Sequence, residues 1–130
     1  IGAPKGAGIY FAVDMDAGDD QIQGDINDYF TAVKGAIGAD YVPGVYGNGA
    51  VCAWCLDHGL TQLAWVWAGR LTNGTQAFVA SDRWNLHQHP PVEAGSDDDA
   101  LGIGIGYDPD DFKDSARAFV LTDTGANLVV

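Results

Sequence analysis

Cationic side chains are scarce in this sequence. Six Lys and Arg stand against 18 Asp and Glu, a formal net charge of -12 over 130 residues. A surface of that balance repels phosphate backbones and anionic headgroups, so neither nucleic acid nor an anionic membrane is expected as a partner. Long apolar runs are missing as well: none approaches the roughly 18 residues of a membrane-spanning helix, and no membrane insertion is expected. The first residues, IGAPKGAG, have neither a basic start nor a hydrophobic signal core, so they do not read as a leader. With no initiator methionine, the chain is expected to be a piece of something longer. Cysteine is limited to Cys52 and Cys55, a lone C-x-x-C followed by His58. A structural zinc site takes four ligands, and no second pair lies nearby, so small interior helix residues are the expectation. A redox motif would open a helix after a strand; this one falls inside a helix. The glycines of GIGIG (102–106) do not open a helix either, which removes the dinucleotide fingerprint, and no cofactor is expected.

What is present suffices for one globular domain spanning 1–130, since 47% of the residues are hydrophobic. IYFAVDM reads as a buried strand, apolar and rich in aromatic and β-branched residues. Beyond it Ile22, Ile26, Phe30, Val33 and Ile37 recur at spacings of three and four, with acids early and Lys34 late, an amphipathic helix ending at Gly38. A second strand over Tyr41 to Tyr46 leads into the helix AVCAWCLDHG, and a third strand covers Leu63 to Trp67. The segment AFVASDRWNLHQHPP is expected to hold one or two further strands, most clearly Trp84 to Gln88. Then come an acidic loop over 92–100, a glycine-rich strand over 100–108, a closing helix over 109–120 and an edge strand in LTDTGANLVV. Strand and helix in alternation mean an α/β fold with parallel pairing. A β/α barrel takes about 250 residues, so this length covers part of one; an open parallel sheet with helices is the alternative.

Asp14 and Asp16 stand where the first strand ends. Alternate residues of a strand share a face, which sets their α-carbons about 6.6 Å apart. Two adjacent carboxylates repel, and that repulsion separates their proton affinities as acid/base chemistry requires. The bland alternative is a pair of solvated loop acids. Tyr46, Trp65, Trp67 and Trp84 offer ring faces suited to stacking on sugars, or to core packing. His87 and His89 alternate on the face opposite Gln88. A metal would need a third ligand, for which Asp82 or Glu93 are guesses, so they read as surface imidazoles and no metal site is expected. Asp97, Asp98 and Asp99 are consecutive, without the alternating ligand spacing of a calcium loop.

The succession IYFAVDMDA, INDYFTAVKGAIG, VPGVYGNGAVCAWCLDHGL, LAWVWAG and RWNLHQ resembles the glycoside-hydrolase-like domain of actinobacterial cell-wall proteins and of phage tail proteins and lysins, itself related to the family 25 lysozymes. The resemblance covers Ile9 to Gln88 and implies the later strands of a TIM-type barrel, with first strands missing or supplied elsewhere. It implies a site at the carboxyl ends of the strands. Asp14 and Asp16 would take the places of an Asp-x-Glu pair, a charge-stabilising carboxylate and a general acid, with Asp16 one methylene shorter than the glutamate it replaces. Tyr46 would line the sugar cleft, Trp67 would end the following strand, and Trp84 and Gln88 would match W-x-x-x-Q at the cleft floor. Asp108, in GIGIGYDPDD, would stand for the acid of the last strand.

The implied activity is lysozyme-like acid/base cleavage of a cell-wall glycan. The alternative is a non-catalytic wall-binding or structural module, as in a phage tail tip or a secreted wall protein. Either way the expected partner is cell-wall glycan and the expected location extracellular, at a wall or virion surface. Exposed sheet edges would be covered by further copies or other chains completing the barrel.

Overall fold

The computed structural model describes residues 3–69, 72–99, 101–102, 105–122 and 125–128. Its centre is a sheet of β1 (Gly8–Ala12), β2 (Val42–Gly47), β3 (Leu63–Val66), β4 (Leu86–Gln88) and β5 (Asp110–Phe112), in that spatial order. The first four strands are parallel; β5 returns antiparallel to β4. The result is a mixed α/β architecture whose sheet is open in the described residues.

Between the strands run α1 (Asp19–Gln21), a π-helical turn (Ile22–Ile26), α2 (Asn27–Ala36), α3 (Gly49–Asp57) and α4 (Thr75–Ala80). The single helix expected over the first crossover is broken at Gly24, whose φ of -97° and ψ of -110° leave helical space. Such a π turn lets the chain change register without losing its apolar stripe. Ile22, Ile26, Phe30 and Val33 all remain buried. Ile22, Ile26 and Phe30 pack with Val45, Ala64 and Val66 from the sheet, with Val13 just past β1, and with Val51, Cys52, Cys55 and Phe78 from α3 and α4. Each fully buried side chain of this size contributes about 1.5–3 kcal/mol by leaving water. Both cysteines are free thiols in that core, as expected. Burial pushes both thiols up, Cys55 to about 12. Glycine is required at position 49 because a side chain would collide with the Gly74 carbonyl where α3 meets the start of α4.

Four expectations are corrected here. The first part of AFVASD is not a strand: residues 75–80 form α4, a short helix whose Phe78 is buried against α3. No closing helix forms over 109–120. Asp110–Phe112 pair with β4, Asp114–Ala116 make one 3-10 turn, and Phe119–Thr122 begin a strand. Pro109 does not open a helix because its carbonyl accepts from His89 N–H at 2.8 Å, which feeds the next residues into the ladder. The glycine-rich strand over 100–108 reduces to one bridge, Val92 to Tyr107, and residues 100, 103 and 104 lie outside the described set. The expected terminal edge strand is instead a two-stranded ribbon of β6 (Phe119–Thr122) and β7 (Gly125–Leu128), which among the described residues pair with each other and not with the main sheet.

Candidate functional site

Partners in the ladder share a face, so the register sorts the side chains. Val45, Ala64 and Val66 face the helices. Tyr10 and Ala12 of β1, Tyr46 of β2, Trp65 of β3 and Gln88 of β4 face the other way and line a hollow of about 260 Å³. Gly44 makes the hollow possible, because a Cβ there would sit 2.6 Å from the Tyr10 ring. The 3-10 turn closes the lower end, where Tyr10 Oη donates to the Ala116 carbonyl at 2.9 Å.

Every polar tip in this hollow has a partner. Tyr46 Oη donates to Gln88 Oε1 at 2.9 Å, and Gln88 Nε2 donates to Asp108 Oδ2 at 3.1 Å. Trp65 Nε1 donates to Asp110 Oδ1 at 2.7 Å. The Trp65 ring meets Tyr46 and Tyr10 edge to face, with centroids 4.9 and 6.0 Å apart. Burial raises the Tyr46 phenol, and the charges of Asp14, Asp108 and Asp110 raise it further. Asp108 reaches that hydroxyl through Gln88, and Asp110 is held beside it by Trp65. Asp110, on an exposed strand, is itself raised, first by partial desolvation of its carboxyl and also by the charge of Asp108, with the Trp65 hydrogen bond pulling the other way. A carboxyl whose proton is held more tightly than usual, beside aromatic faces and further carboxylates, is the composition acid/base chemistry on a sugar calls for.

The residues expected at the site are thus distributed unevenly. Tyr46, Gln88 and Asp108 are brought together, and Asp14 is exposed beside them. Asp16 makes a different set of contacts: its Oδ1 accepts from Asn48 Nδ2 and from Asn73 N–H, both at 2.9 Å. Asn48, wholly buried, caps α3 by accepting from Val51 N–H, while Gly49 N–H donates to Thr75 Oγ1. Asp16 therefore ties together the loops that follow β1, β2 and β3. Trp67 lies just past β3, one alternation beyond Trp65, its N–H donating to the Gly47 carbonyl at 2.9 Å. Trp84 is elsewhere. It packs against the helix-side core, with Lys113 Nζ 4.0 Å from its ring centroid. Sequence reasoning missed Asp110 and left Trp65 undecided. The signal for Asp110 was the alternation Asp108-x-Asp110, visible once 110–112 is seen as a strand.

Comparison with known proteins identifies the family to which this fold belongs. Residues 1–111 match the family described as Rv2525c-like, glycoside hydrolase-like domain, and the chain belongs to that family. Among solved structures it is similar to the Tat-secreted protein Rv2525c of Mycobacterium tuberculosis, crystallised in complex with L-tartrate. The TM-score is 0.64 at 26% identity, over 86% of this chain and 50% of that one. It is also 32% identical over 113 residues to the uncharacterized protein YbfG of Bacillus subtilis (strain 168), covering 79% of this chain and 15% of that protein. The chain thus spans half of the solved relative and a small part of the curated one.

Proposed function

We propose that the hollow between Tyr10, Tyr46, Trp65 and Gln88 is a glycan subsite and that the chain is the later part of a lysozyme-like barrel acting on a cell-wall glycan. The observation that carries this reading is the hydrogen-bonded chain from Tyr46 through Gln88 to Asp108, with Asp110 bonded to the Trp65 indole and the Trp65 ring in edge contact with both tyrosines. Glycoside hydrolysis needs one carboxyl protonated at the leaving oxygen and another ionised near the anomeric carbon. Asp110, with its raised proton affinity, takes the first role and Asp14 the second. Asp108 orients Gln88, which holds the Tyr46 hydroxyl against the sugar. Asp16 acts through the loops it ties. The parallel order of β1 to β4 supports the barrel assignment. Export is proposed from that relative, which is Tat-secreted.

One observation favours the second reading, a wall-binding module without catalysis: Asp16, the acid expected to donate the proton, is engaged by Asn48 and Asn73. Release of reducing ends from purified wall glycan separates the two. Hydrolysis predicts release by the wild type and a fall of about 10²–10⁴-fold in Asp110→Asn. No release above blank, with glycan binding retained, selects the binding module.

A further inference from the structure

On the opposite side of β4 and β5 from the hollow, two imidazoles and a carboxylate converge. His87 and His89 are alternate residues of one strand and its continuation, so both project from the helix-side face. Asp111 is the cross-strand partner of His87. His89 Nε2 and Asp111 Oδ2 are 2.8 Å apart, and the two imidazole centroids are 4.6 Å apart. One ligand atom from each of the three residues lies within 4.8 Å of the others. Both histidines also line a cavity of about 410 Å³ whose other walls include Ala68, Thr75, Gln76 and Val79.

We propose that His87, His89 and Asp111 form a binding site for a divalent d-block cation, zinc being the best match, with an open coordination position facing this cavity. Two imidazoles and one carboxylate are the donor set of three-ligand zinc sites that keep a fourth position for water or substrate. Ligands at about 2.1 Å from zinc stand roughly 3.4 Å apart in a tetrahedron, so modest side-chain rotation closes this set. The backbone fixes the three α-carbons through the β4–β5 ladder and the His89 N–H bond to the Pro109 carbonyl. The carboxylate that hydrogen-bonds His89 is already aimed at the site. Bound metal would clip β5 to β4, the strands that carry Asp110 and Gln88 on their other face. The site stands on its own geometry and is independent of the glycan reading.

The test uses metal-stripped protein titrated with Co²⁺, followed by visible absorption, with Zn²⁺ displacing the cobalt. One equivalent should bind and give the intense bands of a four- or five-coordinate ion. His89→Ala and Asp111→Ala, both exposed enough to spare the fold, should each lower affinity by more than the ~10–100-fold that losing an outer-shell partner costs. His58→Ala should bind as the wild type does, since His58 stacks on Trp54 at a separate place on the surface. No saturable cobalt spectrum in the wild type overturns the proposal. Affinity unchanged in His89→Ala or Asp111→Ala overturns it equally, assigning the metal to surface acids such as those of the 97–99 loop. Circular dichroism of each variant confirms that the loss is one of binding and not of folding.

Discussion

The two faces of one sheet differ in what fills them. Under the helices, Val45, Ala64 and Val66 are wholly buried in a cluster of apolar side chains and two thiols. On the open face, the positions one step along the same strands carry Tyr46 and Trp65, half-buried and hydrogen-bonded at their polar tips. The first face gains by excluding water from apolar surface. The second keeps rings and carboxyl groups in contact with solvent and with each other, an arrangement with little use in folding and much in recognition. The comparison predicts that substitutions on the two faces separate stability from ligand binding.

The largest expected effect is on the helix side. Phe30→Ala removes a fully buried ring from the centre of the core and should cost about 3–5 kcal/mol, read by urea unfolding. A smaller effect should divide two acids that are neighbours in the sequence. Asp16→Ala strips the acceptor from Asn48 and Asn73 and should cost about 1–3 kcal/mol. Asp14→Ala, at an exposed position, should stay within about 0.5 kcal/mol. Equal losses would mean that Asp16 does not clamp the loops.

The smallest effect concerns pH. The folded-state proton affinity of Asp110 is raised, by partial desolvation and then by Asp108, so the folded protein holds that proton more tightly than the unfolded chain does. Stability from this group is present at low pH and lost as pH rises through the window between its ordinary and its raised value. Asp110→Asn keeps an oxygen for Trp65 Nε1 and removes the opposed charge. Above that window the variant should be at least as stable as the wild type, and the gap should close on acidification. Thermal unfolding across the window checks it; a variant less stable at neutral pH contradicts the assignment.

How much of this was legible in the sequence follows from where the determining contacts lie. The strands of the first half announce themselves as apolar runs, although β1, expected to be buried, lies at the edge of the sheet and is half-buried, and the α2 stripe survives even the break at Gly24. Local patterns end there. The β5 residues Asp110, Asp111 and Phe112 are all exposed, so no hydrophobic alternation marks them, and a proline followed by acids mimics a helix start. Only pairing with β4, more than 20 residues earlier, makes them a strand. That one unreadable strand hid the Trp65 to Asp110 bond and the third ligand beside His87 and His89. Tyr46, Gln88 and Asp108, expected together at a cleft, are joined by hydrogen bonds, whereas nothing local distinguishes Trp84, packed on the core, from Trp65 on the open face.

The separation of the two faces is tested most directly by titrating soluble wall-glycan fragments into isotopically labelled protein and following the indole N–H resonances. Trp65 Nε1–H, bonded to Asp110 on the open face, should shift with saturation, while Trp54 Nε1–H, bonded to Asn27 on the helix side, should stay in place. Shifts at Trp54 without Trp65, or none at either across the titration, would contradict the assignment of the glycan to the open face.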